Sequence, residues 1–180
     1  MTTIDTLIVR YGEIALKGAN RKFFEKQLIK NISLSLHRFT IDSIFQEGKR
    51  VIVSGVSNPL HAARCASHIC GIVSVRPAVS LKTKTETILS AIEDIAETIL
   101  SQEKPKRFAV RSQRANKTFP VTSEQMNARA GSIIKRRIPS WSVDLTDPET
   151  TIVIDIRKKN TYISWNDYKG IGGLPVGTGG

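Results

Sequence analysis

The order of elements in the first 79 residues constrains the fold more than any other property of the chain. Thr6 to Val9 is β-rich and reads as a strand. It runs into a loop, Arg10 to Arg21, where Gly12 and Gly18 break the periodicity and Asn20 can cap the helix that follows. In that helix Phe24, Leu28, Ile32 and Leu36 step by four, Phe39 continues the face, and Lys22, Lys26 and Lys30 step by four on another. Ile41 to Gln46 and Arg50 to Ser54 read as a hairpin turning at Glu47-Gly48-Lys49. Asn58-Pro59 opens a second helix, with Leu60, Ala63 and Ile69 for apolar contacts. Gly71 ends it, and Ile72 to Val79 is a further strand. Strand, helix, strand, strand, helix, strand is the ferredoxin-like βαββαβ arrangement.

The remainder is mixed α/β. Thr83 to Gln102 shows an apolar stripe of Ile88, Ile92, Ile95, Ala96 and Ile99, with Glu86, Glu93, Asp94 and Glu97 around it. Lys104-Pro105-Lys106 is a break. Phe108 and Val110 then alternate with Arg107, Ala109 and Arg111, which predicts a strand with the apolar pair facing a core and the arginines facing out. Ser112 to Thr118 reads as a turn. Thr122 and Gln125 have the spacing of a capping box, followed by a helix with Met126, Ala130, Ile133 and Ile134 on one face. Trp141 to Leu145, Ile152 to Ile156 and Tyr162 to Asn166 supply further extended segments. Gly170 to Gly180 is too glycine-rich for an element and reads as a linker.

From Lys104 to Arg137 there are ten basic residues against one acidic residue, Glu124. On a strand–turn–helix unit, that imbalance predicts a polyanion-binding surface. It fits a chain with net charge +11, whose partner is expected to be acidic: nucleic acid or an anionic surface. No apolar run approaches the ~18 residues of a membrane span, and the N-terminus lacks the charged and apolar regions of a signal peptide. The expected compartment is a reducing cytoplasm, since the two cysteines are too few for a disulfide framework.

Motifs for catalysis are sparse. Glu13 and Lys17 share a loop, where a salt bridge or a phosphate contact is a simpler reading than acid–base work. His37, His61 and His68 have no metal-ligand spacing, and Cys65 and Cys70 read as packing thiols. Gly170-x-Gly172-Gly173 lacks the Lys-Ser/Thr of a phosphate loop. Arg157-Lys158-Lys159 reads equally well as a solvated turn and as a secondary RNA contact. No RRM-type aromatic motif is present, so recognition through the phosphate backbone and the shape of a folded RNA is what remains.

Two stretches carry a family resemblance. Arg10 to Glu25, RYGEIALKGANRKFFE, resembles the opening motif of the tRNA 4-thiouridine synthetases, sulfurtransferases also tied to thiamine biosynthesis. Phe108-Ala109-Val110, Arg114, Phe119, Thr122-Ser123, Val143-Asp144-Leu145 and Ile152 to Ile156 together resemble a THUMP domain. Gly172-Gly173-Leu174-Pro175-Val176-Gly177-Thr178 is similar to that family's link from THUMP to its catalytic domain. The first motif is specific to the family; THUMP also occurs in RNA methylases, pseudouridine synthases and adaptors.

The resemblance implies an α+β chain: a ferredoxin-like βαββαβ domain over residues 1–76, an α/β THUMP domain over 77–168, and a glycine-rich linker over 169–180 towards a catalytic domain. It implies binding of tRNA, with THUMP engaging the acceptor end so that uridine 8 is thiolated by an adenylating domain that uses ATP. A persulfide supplies the sulfur, through a sulfur donor protein. That family's Ser-Gly-Gly-x-Asp-Ser motif does not occur in this sequence, and neither cysteine matches its sulfur-handling ones. The expectation is therefore a chain with no cofactor of its own that binds tRNA without modifying it alone. Its partners would be tRNA and a C-terminal adenylating domain or a separate catalytic protein, with no membrane; a homodimer stays open. The expected RNA-binding residues are Lys17, Arg21, Arg111, Arg114, Lys117, Arg129, Lys135, Arg136 and Arg137. A free-standing THUMP adaptor that presents tRNA to another enzyme is the alternative, and a ferredoxin-like sensor of a small anion is a second.

Overall fold

The computed structural model describes residues 2–16, 18–102 and 107–178. Lys17 and the basic break at Lys104 to Lys106 lie outside them. The chain forms two compact units. One comprises Ile4–Ala78 with the chain from Asn166 onward, the other Val79–Trp165 with the first three residues.

In the first unit, β1 (Thr6–Tyr11) pairs antiparallel with β3 (Arg50–Ser54) on one side and with the start of β4 (Ile72–Lys82) on the other. β2 (Ser43–Gln46) completes the hairpin with β3. The helices α1 (Arg21–Ser35) and α2 (Pro59–Ser67) give the expected βαββαβ order. Leu28, Ile32 and Leu36 pack with Leu7, Val9, Val51, Val53, Ala62, Ala63, Ala66, Ile72 and Val75 in a fully buried core. The β1–α1 loop is not irregular throughout: Glu13–Leu16 and Gly18–Asn20 form two 3-10 turns. Asn20 precedes α1 but makes no capping hydrogen bond with its side chain.

The chain after Asn166 belongs to this unit, and its described residues are bonded to it at several points. β9 (Tyr168–Lys169) pairs with β4 through Val75 and Ser74. Beyond it, the N–H groups of Gly170 and Gly172 donate to Val73 and Ile72 carbonyls, 2.8 Å each, and Gly71 N–H donates to Gly172 O at 2.7 Å. The side-chain amides of Gln27 and Asn31 both donate to Val176 O at 3.1 Å. Glycine is needed at 170, where a Cβ would lie 2.2 Å from Ile72 O. Of the glycines that read as a linker in the sequence, Gly170 lets backbone lie against backbone here.

In the second unit, the end of β4 pairs antiparallel with β8 (Asn160–Ser164), and β8 with β7 (Thr150–Ile156). β5 (Arg107–Arg114) runs parallel to β7 and to the short edge strand β6 (Ser142–Val143). The helices are α3 (Thr85–Gln102) and α4 (Ser123–Arg137). The stripe predicted for α3 is buried residue by residue: Ile88, Ile92, Ile95, Ala96 and Ile99. β5 departs from the predicted alternation, because Phe108, Ala109 and Val110 are all buried. Strands of parallel sheets are commonly buried on both faces, and β5 runs parallel to β7, so in–out alternation fails there. β5 also extends to Arg114, into residues whose polar side chains read as a turn. Among the described residues no helix is long and apolar enough to cross a membrane.

Candidate nucleic-acid interface

The basic segment begins on β5. Arg107 lies at its start and is surrounded by acids. Its guanidinium reaches Asp147 at 2.8 Å and Asp144 and Glu149 at 3.4 Å each. Asp144 is held below the usual carboxylate range by the backbone N–H groups of Asp147 and Thr146, and further by Arg107. Four residues on, Arg111 is exposed and among the described residues donates only to Leu145 O, at 3.3 Å.

Arg114 turns back on its own chain. Its Nη1 donates to Phe119 O at 2.9 Å and Val121 O at 3.2 Å. The loop is tightened by Asn116 Oδ1, which accepts from Thr118 N–H and from its hydroxyl, and is anchored by buried Phe119 and Val121. Lys117 stands exposed on this loop with no hydrogen bond or ion pair to the described residues. Thr122 then starts α4 with the full capping box: Gln125 N–H donates to Thr122 Oγ1 at 3.1 Å, and Thr122 N–H to Gln125 Oε1 at 3.0 Å.

Along α4, Met126, Ala130 and Ile134 are buried, and Ile133 is only partly covered. Arg129 is exposed and without a polar partner among the described residues. The terminal cations are all engaged. Lys135 Nζ donates to Pro139 O and Trp141 O at 2.7 Å each, closing the helix end. Arg136 reaches Glu93 at 3.1 Å, and Arg137 forks onto Glu97, both acids belonging to α3. An open groove of about 790 Å³ lies between α4, β5 and the chain after β6. Its walls are largely apolar, with Phe108, Val110, Val143 and Leu145 on one side and Ala128 and Gly131 on the other. Asn127 lines it too, and its Oδ1 accepts Ser112 N–H at 2.7 Å. Glu124, Lys135 and Arg136 are its charged lining residues.

The structure thus sorts the residues singled out in this unit. Lys135, Arg136 and Arg137 share the end of α4 but are bonded there; Arg114 braces a loop; Arg111, Lys117 and Arg129 are the more available cations. The sequence count missed the neutralising acids, Glu93, Glu97, Asp144, Asp147 and Glu149. Each was visible as an acidic residue, but none lies next to its arginine in sequence. Arg157, in the β7–β8 turn, is likewise bonded to Asp155 at 2.9 Å.

In the ferredoxin-like unit, Arg21 is built into a cluster. Its Nε donates to Glu25 Oε1 at 2.6 Å and its Nη2 to Gly48 O at 3.2 Å. Tyr11 Oη donates to the same carboxylate at 2.5 Å. Glu25 is buried, which opposes its charge, but hydrogen bonds from Tyr11, Arg21 and Gln46 outweigh burial and hold its carboxyl below the usual range. Burial and the bond to Glu25 push the Tyr11 phenol up.

Among the described residues no group of three or more His, Cys, Asp or Glu side chains could hold a metal ion. The glycine run offers no ready site for a triphosphate at Gly170 to Gly172. A triphosphate would need a cradle of free backbone N–H groups, and in the glycine run those of Gly170, Ile171 and Gly172 donate to the carbonyls of Val73, Ser67 and Ile72.

Comparison with known proteins bears on both units. The ThiI ferredoxin-like domain matches residues 6–75, and the THUMP domain matches residues 82–166. The chain is 35% identical over 177 residues to a "probable tRNA sulfurtransferase" of Brevibacillus brevis, and 36% identical over 180 residues to one of Bacillus licheniformis. Each match covers 98% of this chain, and the chain spans 44% of the length of these curated relatives. Among solved structures, a 4-thiouridine synthetase–RNA complex with bound ATP superposes with a TM-score of 0.86 at 26% identity. That match covers 99% of this chain and 45% of the synthetase. PH1313 of Pyrococcus horikoshii gives the same TM-score at 31% identity, covering 97% of this chain and 58% of PH1313.

Proposed function

We propose that this chain, which belongs with the tRNA sulfurtransferases in carrying a ThiI ferredoxin-like domain followed by a THUMP domain, holds tRNA for modification. The observation that carries the reading is the set of exposed, underused cations on the β5–α4 unit. Arg111 makes one bond to a carbonyl, and Lys117 and Arg129 make none among the described residues. Cations of this kind contact phosphates and position an RNA without reading its sequence. The likeness to a 4-thiouridine synthetase–RNA complex supports RNA as the polyanion. In this reading THUMP takes the acceptor end, and uridine 8 is thiolated by an adenylating domain that binds ATP and is fed by a sulfur donor. The match to the ThiI ferredoxin-like domain favours a synthetase over a free-standing THUMP adaptor.

The test is tRNA binding by anisotropy across a range of potassium chloride. Counterion release should make log K fall linearly with log salt, by roughly 0.7 to 0.9 per phosphate contact. Replacing Lys117 and Arg129 together by alanine should lower that slope by about 1 to 2. Binding that ignores salt, or a slope unchanged in the double variant, would remove the β5–α4 unit from the interface. Supplied with tRNA, ATP and a sulfur donor, this chain alone should yield no 4-thiouridine on nucleoside analysis.

A further inference from the structure

Counted by unit, the positive charge is not larger where the basic segment lies. The ferredoxin-like unit holds twelve Lys and Arg against six Asp and Glu, and the other unit fifteen against ten. The ferredoxin-like unit therefore carries the larger excess. Three of its six acids are already bonded to arginines: Glu25 to Arg21, Glu47 to Arg50 and Asp167 to Arg76. On α1 itself Glu25 is the single acid, and it is buried.

Opposite that neutralised chemistry stand Lys22, Lys26 and Lys30. All three are exposed, and none has a hydrogen bond or ion pair to the described residues. At four-residue spacing they rise about 6 Å per step along one flank of the helix. Like charges at i, i+4 repel each other and cost helix stability, so the row does nothing for α1 as a helix. Exposed Phe23 and Leu34 lie beside it, but they are eleven residues apart, about 16 Å along the axis. The lysines are thus contiguous and the apolar groups are not, which favours a polyanion over a lipid surface.

We infer that Lys22, Lys26 and Lys30 form a second phosphate-contacting surface, on the ferredoxin-like unit, for the backbone of the same class of RNA. The inference rests on the tRNA-binding reading above and adds a site to it. Its members act as point charges, so each should count as one released counterion and none should confer base preference.

The test uses the 180-residue chain with Lys22→Ala, Lys26→Ala and Lys30→Ala combined, binding tRNA over the same salt range. The variant should keep its thermal transition and lose about 2 to 3 from the slope of log K against log salt. Arginine at the same three positions should restore the slope. A control variant with Arg38→Ala, Lys49→Ala and Lys169→Ala removes equal charge from other exposed positions of the unit. An equal loss in that control would overturn the assignment, because net charge would then suffice. An unchanged slope in the α1 variant, with wild type binding tightly, would overturn it while leaving tRNA binding intact. Failure of the wild type to bind tRNA would overturn both. Retention of wild type but not the α1 variant on phosphatidylserine vesicles, with tRNA binding equal, would reassign the row to membranes.

Discussion

Helices α1 and α4 each carry basic side chains, and they differ in what surrounds the charge. At the end of α4, Arg136 and Arg137 meet Glu93 and Glu97 of α3, and Lys135 bonds the carbonyls of Pro139 and Trp141 just past the helix. On α1, the one acid is withdrawn into the interior with Arg21 and Tyr11, and Lys22, Lys26 and Lys30 are left to solvent. In sequence the two helices carry equal charge, four cations and one acid over fifteen residues each, so it is the availability of that charge that separates them. An acid neutralises a cation when it is near in space, and burial of Glu25 removes it from the outer face of α1 more effectively than distance along the chain would.

The sharpest way to break this contrast is to remove Glu25. Glu25→Ala leaves Tyr11 Oη without its acceptor in a buried site and Arg21 without its carboxylate. Losing hydrogen bonds to a buried charged group should cost about 2–3 kcal/mol in urea unfolding. The salt slope of tRNA binding should not change, because this carboxylate does not neutralise the lysine row. A steeper slope in the variant would show that Glu25 had been screening those lysines after all.

Acidification probes the same cluster. The Glu25 carboxyl titrates below its ordinary value when folded, so its stabilisation is fully present above the unfolded value near pH 4.3. It is lost as pH falls through the depressed folded value. Wild type should therefore lose stability relative to Glu25→Ala as the pH drops below about 4, and the two urea curves should converge. Parallel curves down to pH 3 would refute the role of the charge.

The two helices also start differently. Thr122→Ala removes a cap that bonds in both directions and should cost about 1 kcal/mol. Asn20→Ala should change little, since the Asn20 side chain makes no cap bond. Equal losses in thermal unfolding would contradict this asymmetry.

The smallest stability effect is expected for Glu93→Gln with Glu97→Gln. Both pairs are exposed, so their loss should cost well under about 1 kcal/mol each. If α3 is what neutralises the end of α4, freeing Arg136 and Arg137 should steepen the salt dependence of tRNA binding by up to about 2. An unchanged slope would mean that this end of α4 faces no phosphate in the complex.

What the amino-acid sequence determined by itself is the local structure. The hairpin at Glu47 to Lys49, the isoleucine stripe of α3, the core face of α1 and the capping box at Thr122 were all legible. Each depends on periodicity or on side chains within a few residues of their partners. The opening motif and the THUMP-like residues likewise identified both domains. Tertiary structure decided the rest. Burial of Ala109 needed β5 to be packed inside the unit beside β7, and the bonded path of the chain after Tyr168 needed the carbonyls of β4 and the side-chain amides of α1. The availability of charge was also decided beyond local range: Arg136 and Arg137 find their acids 43 and 40 residues away. Sequence patterns report which side chains a chain possesses and which face they share on one element. Electrostatic neutralisation depends on distance in space, and the packing of one element on another is what sets it.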